Sequence, residues 1–221
     1  MTILNVVNHH NGVNRVGIAE RKEREKEDVR KKILDAAHDL FEAQGYENVT
    51  MRAVADAIEY SPTTIYLHFA NKDALVEALC FEDFERLSAR MNQAPLPENP
   101  IERMRALGRA YAAFGLGSPN HYRFMFMTSG DWKKHAREAD SPPSKSYEVL
   151  RAAVSDAMEQ GYFKSNDIDL VSQIMWASLH GVISLLITFK PGQFPRVDPR
   201  PNLIDGVMEA TLHGLLADGK K

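Results

Sequence analysis

Residues 59–69 read EYSPTTIYLHF, and they mix two chemistries in a very short space. Thr63 and Thr64 each carry a hydroxyl and a methyl, the pair of groups that suits base edges and the thymine methyl in a DNA major groove. Ile65 and Phe69 are four apart and fall on one face of a helix, available for packing. Thr63, Thr64, Leu67 and His68 cover the other faces, with Tyr66 also outside the Ile65–Phe69 stripe. Lys72 follows at a helix start, where free backbone N–H groups add to its attraction for phosphate.

The elements around this stretch are legible from period and punctuation. Ile33, Ala36, Ala37, Leu40 and Phe41 fall on one helical face, and Gly45 is placed to end that helix. Thr50 is a good N-cap for a second helix carrying Met51, Val54, Ala55 and Ile58. Ser61 caps a third, with Pro62 at its first position, and Asn71 caps a long fourth. Three short helices with a tight Glu59–Tyr60 connection form a helix-turn-helix layout, in which the second helix of the pair enters the major groove.

Downstream, NQAPLPENP at 92–100 marks a break. Helices are expected from Pro100, from Pro119, over 147–160, over 167–189 and over about 201–216, with loops at 129–146 and 190–200. No useful strand alternation is present. The expected class is all-α with about nine helices: a flexible tail at 1–20, a helix-turn-helix domain with a basic arm at 21–75, and a larger helical domain at 76–221. Residues 21–32 hold seven Lys/Arg against four Asp/Glu; a solvated helix start laced with i,i+4 pairs explains them on charge alone.

Composition excludes several classes. Net charge is −3, so any nucleic-acid contact must come from a local patch. The single cysteine, Cys80, rules out an internal disulfide framework and reads as a small buried residue. The run 181–189 is too short to span a bilayer, which needs roughly 20 apolar residues; no membrane association and a cytoplasmic location are expected. His121, His180 and His213 lack metal-ligand spacing, and no nucleophile–base set or glycine-rich phosphate loop is present. No catalytic residue, metal or cofactor is expected. An all-α enzyme, or a helical interaction protein without a specific operator, are the competing readings.

Residues 33–79 carry A-x-x-L-F-x-x-x-G-Y, then T-x-x-x-[VI]-A, then S-x-x-T-[LI]-Y-x-H-F-x-x-K-x-x-L, in order and at matching spacing. This stretch resembles the DNA-binding domain of the TetR family of bacterial transcriptional regulators. The resemblance implies that Thr50 and Arg52 contact phosphate or a groove edge, that Pro62, Thr63, Thr64 and Leu67 face bases, and that Tyr66, His68 and Lys72 hold phosphates. It also gives the 21–32 arm weight as a DNA contact. Where the family usually has glycine in the turn, this chain has Glu59.

YRFMFM at 122–127 and MWASLHGVISL at 175–185 are similar to a TetR C-terminal subfamily marked by a tryptophan, a histidine and a glycine, here Trp176, His180 and Gly181. The resemblance implies a homodimer, a repressor of a double-stranded palindromic operator, and a small-molecule effector. Tyr111, Phe114, Tyr122, Met125, Phe126, Trp176 and His180 are the pocket candidates, for an apolar or aromatic molecule. The 170–187 helix is apolar nearly all round and must bury more than one face. Leu179, Val182 and Leu186, with Val207 and Leu212 of the last helix, are the expected dimer seam.

Overall fold

The computed structural model describes residues 11–95, 97–127, 131–189, 193 and 202–220, with side chains from 17 onward except 131, 132 and 137. Among them run nine α-helices: α1 (Asn11–Gln44), α2 (Met51–Ala57), α3 (Pro62–His68), α4 (Lys72–Asn92), α5 (Pro100–Gly117), α6 (Pro119–Met127), α7 (Pro142–Glu159), α8 (Ile168–Thr188) and α9 (Leu203–Leu215). Two 3₁₀ turns, Tyr46–Asn48 and Asp131–Arg137, connect them. The only β-type pairing among the described residues is an isolated antiparallel bridge between Phe163 and Leu216.

The chain divides into two compact units, Met1–Leu75 and Val76–Lys221. In the first, α1, α2 and α3 enclose a core of Ile33, Ala37, Phe41, Val54, Ile65 and Phe69, all buried. Its helix starts follow side-chain chemistry: Thr50 Oγ1 accepts from Ala53 N at 3.1 Å, Ser61 Oγ from Thr64 N at 3.2 Å, and Asn71 Oδ1 from Ala74 N at 2.8 Å. Each satisfies one orphan N–H of its helix.

Two boundaries differ from expectation. α1 begins at Asn11, so 11–20 are helical where a segment without period was expected, and the 21–32 stretch continues the helix; residues 1–10 lie outside the described set. Ion pairs at helical spacing, Arg21–Glu25 and Lys31–Asp35 at 2.7 Å, suit that extension. The expected loop at 129–146 holds the 131–137 turn and the first turn of α7. Ser141 caps α7 with Pro142 at its first position, and Ser141 Oγ accepts from Ser144 N at 3.3 Å. This is the same signal as Ser61–Pro62, obscured by a second proline.

In the second unit, α8 packs on α9, α7 and α5, and α5 also packs on α6, α7 and α9. Two glycines on α5 permit the closest approaches. A Cβ on Gly115 would lie 2.8 Å from Ile183 Cγ2 and 2.9 Å from the Tyr122 ring, and one on Gly108 would lie 2.7 Å from Met208 Sδ. Arg105 clamps α5 to α9 through a two-pronged pair with Glu209 at 2.6 and 2.7 Å. That hydrogen bond raises the Arg105 pKa and lowers that of Glu209.

α8 has 21 residues and holds an 18-residue stretch of mean hydropathy 1.7, long and apolar enough by length and composition to cross a membrane, which the shorter run 181–189 did not suggest. Val171, Met175, Leu179, Val182 and Ile183 are buried against its neighbours, as in the central helix of a helical core. Cys80 is fully buried, and burial, reinforced by Asp83, pushes its thiol far up. It is held as an inert thiol, because only the thiolate reacts.

Candidate DNA interface and effector cavity

The turn before α3 is a Schellman closure of α2. Tyr60 N donates to Ala55 O at 3.0 Å and Glu59 N to Asp56 O at 3.3 Å, the paired backbone bonds of that motif. The motif requires a left-handed residue at its pivot, and Glu59 supplies it with φ 59°, the only non-glycine among the described residues at positive φ. The departure from glycine therefore leaves the turn geometry intact, at a conformational cost of about 1 kcal/mol.

That turn delivers α3 with its apolar side docked. Ile65 is 0% and Phe69 3% exposed, while Leu67 is 77% and Tyr66 52% exposed. Thr63 is exposed beside them. A leucine and a tyrosine left in water on a seven-residue helix do nothing for this chain's own core, which marks the face as a contact surface.

Other expected contacts are placed differently. Thr50 and Thr64 are partly committed within the fold: Thr50 caps α2, and Thr64 Oγ1 lies 3.1 Å from Ser61 Oγ. Pro62 starts α3 from an exposed position. Arg52 is exposed, with only a long 3.9 Å pairing to Asp56. Lys72 is half-buried: its ammonium donates to Tyr46 O at 2.8 Å and lies 4.2 Å from the Tyr46 ring centroid. It braces α4 on the 46–48 turn and keeps two further donors.

α1 contributes groups that spacing alone did not assign. Arg30 stacks over Phe69 at 4.5 Å, at the C-terminal end of α3. Burial, with the charges of Lys26 and Arg30, lowers the His68 pKa. At neutral pH His68 is therefore a hydrogen-bonding group beside two fixed cations rather than a cation itself.

The second unit contains a cavity of about 760 Å³. Of the expected pocket residues, Tyr111, Met125, Phe126 and Trp176 line it; Phe114, Tyr122 and His180 do not. Tyr122 and His180 instead stand behind the wall in a hydrogen-bonded chain. Trp176 Nε1 donates to Tyr111 Oη at 3.0 Å, and Tyr111 and Tyr122 share a bond at 2.8 Å. Tyr122 Oη and His180 Nδ1 lie 2.7 Å apart, and His180 Nε2 and Ser184 Oγ 3.3 Å. Burial pushes Tyr111 up to about 12, raises Tyr122 further, and lowers His180. A neutral imidazole can accept at Nδ1 and donate at Nε2, so the chain is satisfied in one direction from Trp176 to Ser184.

Phe84, Leu87, Met91, Lys133, Tyr147 and Gln173 also line the cavity and were not singled out from sequence. Those in α4 and α7 read as ordinary helix faces, because period cannot tell a filled wall from an empty one; Lys133 lies in the 131–137 turn and Gln173 in α8.

The expected seam needs correction. Leu179, Val182 and Leu212 are 7%, 5% and 0% exposed within a single chain, so they are core residues with no surface left for a partner. Leu186 and Val207 are half-buried. The apolar surface lies elsewhere on α8, at Leu170 (49% exposed), Ile174 (37%) and Leu185 (48%). Ala177 and Gly181 lie between them at helical spacing, and an added Cβ at Gly181 would meet nothing within 4 Å.

Comparison with known proteins agrees with this architecture. Residues 33–79 match the model for bacterial regulatory proteins of the tetR family, and residues 104–215 match the tetracyclin repressor-like C-terminal domain. The chain belongs to the TetR family. Its curated relatives include the HTH-type transcriptional regulator UidR of Escherichia coli K12, 36% identical over 69 residues, which are 31% of this chain and 35% of UidR. They also include the repressor KstR of Rhodococcus jostii RHA1, 40% identical over 78 residues, 35% of this chain and 36% of KstR. The match thus spans about a third of the length of these relatives.

Solved structures share the fold over most of the chain. One from Rhodococcus sp. RHA1, of unknown function, has a TM-score of 0.70 at 23% identity, covering 85% of this chain and 95% of that one. A TetR-family transcription regulator from Shewanella sp. PV-4 has a TM-score of 0.66 at 13% identity, covering 85% and 98%.

Proposed function

We propose that this TetR-family chain is a homodimeric, sequence-specific DNA-binding repressor, released from a palindromic operator by a small molecule held in the second unit. The observation that carries the DNA reading is α3: Ile65 and Phe69 are buried, the Schellman turn fixes the helix, and Thr63, Tyr66 and Leu67 stand in solvent. Thr63 and Leu67 are assigned to base edges. Arg52, Tyr66, His68 and the remaining donors of Lys72 are assigned to phosphates, with Lys26 and Arg30 supplying local positive charge.

Selection of bound duplexes from a random pool, followed by gel shift at moderate salt, tests the reading. A palindromic consensus is expected; binding with no preference over random DNA would sink it. Thr63→Ala should relax the preference at one base position in each half-site. Arg52→Gln should weaken all sequences alike and lower the salt dependence by about one phosphate contact per protomer.

The dimer is assigned to the α8 stripe of Leu170, Ile174, Ala177, Gly181 and Leu185, where small residues between large ones allow close helix approach. Trp176, His180 and Gly181 support the tryptophan–histidine–glycine C-terminal type: Trp176 lines the cavity and heads the polar chain, His180 stands in that chain behind the wall, and Gly181 lies on the stripe. Ile174→Glu should give a monomer by sedimentation, with operator binding lost and helicity kept.

A further inference from the structure

The cavity and the α8 stripe share an edge. Gln173 and Trp176 both line the cavity, yet Gln173 is exposed and Trp176 is 37% exposed. Met175 and Leu179, which line it from the same helix, are buried. The cavity wall therefore reaches the surface of α8 at Gln173 and Trp176. Residues three and four apart are neighbours on a helix surface. Gln173 thus lies beside Leu170 and Ala177 of the stripe on one side, and beside Trp176 on the other.

The face that carries this edge suits a second copy of itself. No Asp, Glu, Lys or Arg occurs from 170 to 188. Two such faces can meet without burying a charge, as the core of a stable interface requires. Leu170, Ile174 and Leu185 project from the face, while Ala177 and Gly181 leave room between them. Projections and hollows on one surface are what a two-fold contact needs, because each copy must fit its own likeness. Trp176, more than a third in water, carries the apolar area on toward the cavity.

We propose that a second copy of this chain completes the cavity: docked on the α8 stripe, it covers the open edge at Gln173 and Trp176, so the site holds an apolar ligand tightly only in the dimer. The inference rests on the readings of the stripe as the dimer seam and of the cavity as the effector site. Leaving about 50–100 Å² of an apolar ligand in water should weaken its binding roughly tenfold to seventyfold. Linkage makes the effect mutual, since a ligand held better by the dimer strengthens the dimer. An effector bound in this way cannot release the operator by splitting the two copies. Release must come from a change within an intact dimer.

Two readouts on full-length protein test this. The first needs no ligand. In protein carrying Trp132→Phe, Trp176 is the sole tryptophan, and acrylamide quenching reports its cover. The dimer should protect Trp176, and Ile174→Glu should lose that protection. The second uses N-phenyl-1-naphthylamine, a neutral probe that fluoresces on leaving water. Ile174→Glu and Leu185→Glu should both give monomers by sedimentation and bind the probe at least roughly tenfold more weakly than the dimer. Leu185 does not line the cavity and lies about 18 Å along the helix from Gln173, so its effect cannot come from direct damage to the pocket.

The wild-type chain supplies the reciprocal measurement. With two sites in each dimer, a tenfold preference per site means that saturating probe tightens dimerisation about a hundredfold. If the variants become monomers yet keep the probe affinity of the dimer, with Trp176 quenched alike in both, the seam stands and its role in the cavity is overturned. If the wild-type chain is a monomer, or the variants stay dimeric, the stripe reading fails and this inference with it. If neither form binds the probe, the cavity reading fails, and the inference again with it.

Discussion

Glu59 shows how one residue can break a local rule without breaking the structure it serves. Its backbone sits at φ 59°, where a side chain is strained and glycine is not. Glu59→Gly should therefore stabilise the first unit by about 0.5–1 kcal/mol, the relief of strain exceeding the extra unfolded-state freedom of glycine. Urea denaturation checks this, and destabilisation would show that the glutamate side chain compensates in a way its backbone angle does not reveal. His180 offers a second residue-scale test. Burial holds its pKa below the ordinary 6.5, so the unfolded chain takes up the proton more readily than the folded one. Its contribution is fully present above that value and is lost as pH falls below it. Protonation would also force Nδ1 to stop accepting from Tyr122. Melting temperature should fall between about pH 7.5 and about 5.5, and His180→Gln should flatten the fall, leaving a smaller slope from His68, whose pKa is lowered too. The caps at Thr50, Ser61 and Asn71 were legible in the sequence because each side chain answers to its own helix. The role of Lys72 was not, because the carbonyl it meets belongs to Tyr46, in a different element.

Among elements, α5 and α8 set the second unit, and their contact depends on what is missing from one side chain. A methyl on Gly115 would press on Ile183 and on the Tyr122 ring at under 3 Å. Tyr122 is fully buried and holds the middle of the chain from Trp176 to His180, so it cannot swing aside without breaking two hydrogen bonds. Gly115→Ala should cost about 1–3 kcal/mol as overpacking, against a normal gain of up to about 1 kcal/mol for this change in a helix interior. Thermal denaturation decides between the two, and a more stable variant would show that the ring has room to yield. Period predicted most of these helices but could not orient α8. Where nearly every position is apolar, a 3.6-residue repeat has no polar side to mark, so the face that turns inward is set by partners. Leu179 and Val182 went to the core, and Leu170, Ile174 and Leu185 were left outside. The first turn of α7 was lost for a different reason: Pro142–Pro143 reads as a break until Ser141 is seen to cap it.

At the scale of the whole molecule, one helix belongs to both functions proposed here. α4 starts with Lys72, braced on Tyr46 in the first unit, and carries Phe84, Leu87 and Met91 to the cavity wall in the second. A molecule in the cavity changes DNA affinity only through a difference in its own affinity for two states of the chain. Shifting those states from 99:1 to 1:99 requires a preference of about 10⁴-fold, near 5.5 kcal/mol, and a more typical coupling of 1–3 kcal/mol gives about 5- to 150-fold. The coupling must be reciprocal. If a saturating ligand of the cavity weakens operator binding by a given factor, saturating operator must weaken binding of that ligand by the same factor. Two titrations measure this independently: operator affinity by fluorescence anisotropy with and without the ligand, and ligand affinity by calorimetry with and without the operator duplex. Equal factors above unity are expected. An operator affinity indifferent to a filled cavity would separate the two sites and remove the effector role, because a ligand bound equally by both states shifts neither, however tightly it is held.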